Sequence, residues 1–193
     1  SLTTGSNNTV LGYNAQTSSA TVSNQITLGN NSVSSLRCNV QTITSLSDAR
    51  DKKNINSLSL GLDFLMQLKP RQFNWDRREW YDDQIPDGSL MDIDPTAGFI
   101  AQELDSVQNE FNAPWLKLVL KDNPEKWEAT YGNLLPVVVK AVQELKSEND
   151  RLKQENETLA LEIRKLKDIE QRVAMLEGIF NNEESKEVNN AGR

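Results

Sequence analysis

The chain has 193 residues, enough for one or two domains, with 37% hydrophobic residues and a net charge of −7. The acidic balance argues against a nucleic-acid-binding surface, and the absence of histidine excludes a Ser-His-Asp triad, a Cys-His dyad and an HExxH zinc site. The single cysteine, Cys38, allows neither an intrachain disulfide nor a multi-cysteine metal site, and no apolar run approaches the roughly 18–20 residues that span a bilayer.

So low an apolar content points to elongated parts that bury surface by oligomerising. The chain opens on Ser1 rather than Met and shows no signal peptide, so it is expected to be a fragment of a longer protein. Residues 1–46 contain 27 Ser, Thr, Asn or Gln and a single charge, Arg37. Asn8-Thr9-Val10-Leu11-Gly12 and Asn24-Gln25-Ile26-Thr27-Leu28-Gly29 share one plan, with their glycines 17 residues apart. Gly and Asn supply turns, and the alternating Val, Ile and Leu predict short strands with one buried face. The pair resembles the β-roll repeats of trimeric fibrous adhesins and phage fibres. Cys38 is expected to be partly buried near a threefold axis or sheet face. The plainer alternative for this segment is a disordered Ser/Thr/Asn-rich linker.

Residues 47–132 read as an α+β unit. Leu58, Leu62, Leu65 and Leu68 are spaced for a helix, with Leu60, Phe64 and Met66 widening its apolar face and Pro70 stopping it. Arg71 to Trp75 reads as a strand, and 76–96 as an acidic, turn-rich excursion. Gly98 to Leu104 returns to the core, and Leu116–Leu120 pairs with Lys126–Tyr131 as a hairpin. Asp82, Asp83, Asp87, Asp92 and Asp94 lack EF-hand spacing and read as a solvated loop, so no metal and no cofactor is expected. Trp75, Trp80, Trp115 and Trp127 read as core or interface aromatics.

Residues 133–180 predict one long helix, with Asn133 as N-cap and Pro136 in its first turn. Val142, Leu145, Leu152, Leu159, Ile163 and Leu166 follow a heptad, with Asn149 and Asn156 at two of its a positions, where they fix register. A three-residue step then leads to Ile169, Val173, Leu176 and Phe180, a stammer that overwinds the supercoil. Arg172-Val173-Ala174-Met175-Leu176-Glu177 fits a pattern of trimeric coiled coils. Residues 181–193 are expected to be a flexible tail.

The composition breaks at Ser47. All 28 acidic residues and 20 of the 21 basic ones lie beyond it. Ser47 is followed five positions later by Lys52, and a serine with a neutral lysine suffices to attack a peptide bond. The carbonyl of Leu46 is covalently adjacent, so attack needs no substrate binding. A lysine base must fall below its ordinary pKa of about 10.4, through burial or a neighbouring cation such as Arg50 or Lys53. The plain alternative is a solvated loop.

Four motifs in order carry a resemblance. They are Ser47-Asp48-x-Arg50-x-Lys52-x-x-Ile55; Leu68-Lys69-Pro70-x-x-Phe73-x-Trp75; Gly98 to Glu103; and Tyr131-x-x-Leu134 leading into Val139 to Leu145. Together they resemble the endosialidase-type C-terminal intramolecular chaperone of phage tail spikes and fibres, the peptidase S74 domain. The resemblance implies a mixed fold: the end of a trimeric β-roll fibre, an α+β chaperone core and a long trimeric coiled-coil helix. It implies a homotrimer, with further association of trimers left open, that templates its own N-terminal fibre domain and binds neither nucleic acid nor membrane. Ser47 is then nucleophile, Lys52 its base and Leu46–Ser47 the cut bond. The implied setting is the host cytoplasm during virus assembly, with the passenger kept in the virion tail and the released chaperone absent from it. The alternatives are an uncut trimeric receptor-binding tip, or a coiled-coil transcription regulator carrying the same domain.

Overall fold

The 17-residue spacing of the N-terminal repeat becomes a strand register. In the computed structural model, which describes residues 4–40 and 42–191 and side chains as far as residue 179, β1 (Thr9–Leu11) pairs in parallel with β2 (Ile26–Leu28). Thr9 faces Ile26, and Leu11 faces Leu28. The same offset recurs off the strands: Asn7 Nδ2 donates to Asn24 Oδ1 at 2.7 Å, and Gln25 N donates to Asn8 Oδ1 at 3.0 Å. Asn7 and Asn24 both take left-handed backbone, as do Gly12 and Gly29. A Cβ on Gly12 would sit 3.1 Å from the Gly29 backbone, so these two turns stack closely enough to require glycine. Each repeat thus forms one rung of a coil. The expected buried face does not form within the chain, because Val10, Leu11, Ile26 and Leu28 are all exposed. Cys38, expected to be partly buried, is exposed as well.

The chain divides into two compact units, Ser1–Ala141 and Val142–Arg193. The apolar core of the first is built, among the described residues, by residues between Leu58 and Ala141. Its helix α1 (Leu62–Gln67) is shorter than the leucine spacing predicts. Gly61 is its N-cap and has a non-helical backbone (φ −143°, ψ −130°), so Leu58 and Leu60 precede the helix, though Leu60 is still buried. Met66, expected on the apolar face, is 72% exposed, because a single six-residue helix offers only a narrow inward stripe. Phe64 is 1% exposed and packs edge-on against Phe111 with ring centroids 5.2 Å apart.

After Pro70 the chain forms β3 (Arg71–Phe73), which pairs antiparallel with β4 (Thr96–Gly98) across the 74–95 excursion. The return to the core is a short strand followed by helix α2 (Ala101–Glu110), a helix not read in the sequence. Leu104, Val107 and Gln108 face inward from it, a 3.6-residue repeat too brief to stand out. Buried Gln108 is satisfied at both ends: its carbonyl accepts from Leu118 N at 3.1 Å and its amide donates to Asp105 at 2.9 Å. The hairpin forms as β5 (Val119–Leu120) against β6 (Glu128–Ala129). Trp75 and Trp115 lie outside the core and are exposed.

Helix α3 (Leu135–Ala191) follows a 3-10 turn, Tyr131–Leu134. Asn133 is not the N-cap: it lies inside that turn, and its amide donates to the carbonyls of Leu116 and Lys117 at 2.9 and 3.1 Å. Tertiary carbonyls outcompete the local cap for the same side chain. Leu134, Val137 and Ala141 are buried, spaced to place one face on the core, and Pro136 falls in the first turn. The helix runs on to Ala191, past the expected end at Phe180 and through most of the stretch expected to be a tail, while the side chains from Phe180 onward lie outside the described residues. No helix among the described residues is long and apolar enough to cross a membrane.

Candidate functional site

Asp48 builds the turn at the compositional break. It is the N-cap of a 3-10 turn, Ala49–Asp51, and its Oδ1 accepts from Arg50 N at 2.8 Å. Asp51 N and Lys52 N close the turn on the carbonyls of Asp48 and Ala49, each at 3.2 Å. One tight turn folds the chain back by about the length needed for residue 52 to reach residue 47. Lys52 Nζ lies 2.5 Å from Ser47 Oγ and 3.2 Å from the Ser47 carbonyl oxygen. The pair singled out in the sequence is therefore in direct contact, in hydrogen-bond reach for proton transfer. Ser47 and Lys52 are exposed, and the Leu46 side chain is fully so.

Arg50 turns toward Asp48 in a bidentate pair whose shortest contact is 2.6 Å. The guanidinium holds the Asp48 carboxyl below the usual aspartate range, and Asp48 in turn raises Arg50. Lys53 is exposed beside Lys52. Asp48 had no assigned role in the sequence reading. The signal for it is an N-cap aspartate followed two residues later by a cation that can close onto it.

The heptad residues lie on α3, and the apolar ones from Val142 to Leu176 are all exposed along it: Val142, Leu145, Leu152, Leu159, Ile163, Leu166, Ile169, Val173 and Leu176. Asn149 and Asn156 are exposed in the same helix. Arg151 joins Glu148 and Glu155 around one flank, pairs that support the helix without covering the apolar stripe.

Residues 47–112 match the model of the family described as Peptidase S74, chaperone of endosialidase. The match starts on Ser47, at the compositional break, and ends just beyond α2, so this segment is similar to an endosialidase-type chaperone domain. No curated protein and no solved structure matches the chain.

Proposed function

We propose that this chain is a self-cleaving intramolecular chaperone that drives trimerisation and folding of a phage tail fibre or spike, and then cuts itself at Leu46–Ser47. The observation that carries the reading is the 2.5 Å contact between Lys52 Nζ and Ser47 Oγ at the first residue of the chaperone domain. The parallel repeat at residues 9–28 supports a fibre as the passenger, because its apolar edge finds no cover within one chain. The exposed heptad stripe supports a three-stranded coiled coil that brings equal chain ends together.

In the reaction, Ser47 Oγ attacks the carbonyl carbon of Leu46 while Lys52 takes the hydroxyl proton. The C–N bond breaks and the Ser47 amine leaves with a proton, so the acyl group passes to oxygen as an ester. Water then hydrolyses the ester, giving a Leu46 carboxylate and a new N-terminal Ser47. A general base must be neutral, and Lys52 is exposed in the single chain. Closure of neighbouring chains around the turn would desolvate such an amine and favour its neutral form. Cutting is thereby tied to assembly.

Intact-mass measurement on freshly made protein tests this reading. A fragment starting at Ser47 is expected, while Ser47→Ala and Lys52→Ala stay whole and still assemble, and Lys53→Ala cuts nearly as the parent does. Cutting of Ser47→Ala at the same bond would remove Ser47 as nucleophile. A single full-length mass from assembled parent protein would favour the permanent, uncut tip.

A further inference from the structure

The passenger and the chaperone core meet through polar groups. None of the described residues before Ser47 contributes to the apolar core, which begins at Leu58. Between the N-terminal coil and the β5–β6 hairpin lies a polar cleft of about 630 Å³, bordered by Thr27 and Asn30 on one side and Asn123 and Lys126 on the other. The excursion between β3 and β4 reaches a residue on each side of it, Asn31 and Lys126. Its 3-10 turn Arg78–Trp80 presents Glu79, whose Oε1 accepts from Asn31 Nδ2 and from Lys126 Nζ, each at 2.8 Å. Arg77 Nη1 donates to the Asn31 carbonyl at 3.3 Å, and Arg78 donates to the Glu125 carbonyl. Arg77 is held in place by stacking over Trp75, 4.5 Å from the ring centroid, with Trp80 at 5.6 Å. One carboxylate oxygen therefore joins residue 31 of the passenger to residue 126 of the core.

We infer that Glu79 is the hub through which the chaperone core retains its passenger once the Leu46–Ser47 bond is broken, an inference that rests on the cleavage reading above. With the covalent link gone, Asn31 is held by Glu79 and Arg77, and the Glu79–Lys126 pair keeps that acceptor in position. Contacts of this kind are screened by salt, unlike buried apolar packing. Retention is then a separate step from cutting, and the ionic medium sets its lifetime.

The test uses the full chain, assembled and cut, with cutting read by intact mass and release by size-exclusion chromatography over time. Parent fragments should co-elute in about 20 mM salt and separate in about 500 mM, where the screening length falls several-fold. Glu79→Gln should cut at the parent rate yet release the passenger roughly twofold to fivefold faster at low salt, the range expected for one exposed charged contact. Asn31→Ala, which alters only the passenger side, should do the same. The double variant should release no faster than the quicker single one, since both break one contact. Release that ignores salt, or parent-like release by both single variants, would overturn the hub. Should the chain not cut itself, a protease site placed in the exposed 42–46 stretch of Ser47→Ala supplies the break. Retention is then read in the same way, and failure of the cleavage reading stays distinct from failure of the hub.

Discussion

The chaperone core and α3 use the same side chains to opposite effect. In the core, Leu118 is 0% exposed and Leu104 1%, enclosed by elements of their own chain. On α3, Leu159 is 53% exposed and Leu176 56%, in a helix no less regular. Burying a leucine is worth about 1.5–3 kcal/mol, so the core collects that energy within one chain, whereas the stripe on α3 leaves about half of its apolar surface uncovered. The N-terminal coil behaves like α3, with Ile26 72% exposed beside a well-formed parallel pair. Regular backbone geometry is thus no guide to whether a segment has satisfied its apolar surface. The difference marks which parts stand alone and which fit the trimer proposed above.

The largest expected effect comes from deleting the stripe. A chain ending at Leu145 should lose trimer and cutting together while keeping the near-ultraviolet signal of the core aromatics, read by sedimentation, intact mass and circular dichroism. Full cutting by such a chain as a monomer would break the coupling between the two regions.

Next is a matched pair of truncations. Leu118→Ala should lower the stability of the core by about 2–5 kcal/mol, as cavity-forming core changes do. Leu159→Ala should shift the unfolding of dilute, unassembled chain by no more than about 0.5 kcal/mol, the range of surface changes. Its effect should appear as a higher concentration needed for assembly. Equal shifts in denaturant midpoint would erase the contrast.

The turn joining the passenger to the core gives a third, smaller effect. Because Asp48 caps the Ala49–Asp51 turn that returns Lys52 to Ser47, Asp48→Ala should slow cutting roughly twofold to thirtyfold, the kinetic equivalent of a lost N-cap. Asp48→Asn can still cap the turn and should lose less. Identical rates for the two variants, followed by mass spectrometry, would mean that the ion pair with Arg50 matters and the cap does not.

The smallest effect is a pH dependence confined to the core. Burial pushes the Asp105 carboxyl up, but Lys121, 2.5 Å away, and the Gln108 amide outweigh it and hold it below the ordinary range. A depressed carboxylate contributes stability that is complete above its unfolded value near pH 4 and is lost as pH falls through the lower folded value. The denaturant midpoint of the core should therefore drop modestly below about pH 4. Asp105→Asn should flatten that part of the drop, and an unchanged profile in this variant would remove Asp105 as its source.

Much of this molecule was written in local or periodic signals. The 17-residue repeat determined the parallel register of β1 and β2, and the heptads ran through one continuous helix. The break in composition at Ser47 coincides with the first residue of the family match. Ser47 and Lys52 stood out at the compositional break, and their contact needs only a single turn because they lie five residues apart. Tertiary structure alone decided the rest. Asn133 left its cap position for carbonyls 16 and 17 residues away, and Gly61 shortened α1 so that Met66 faced water. Glu79 gained partners 48 residues before it and 47 after it. Propensity and periodicity act over a few residues, whereas a side-chain amide or carboxylate takes whichever partner the folded chain brings to about 3 Å, a choice no local pattern encodes.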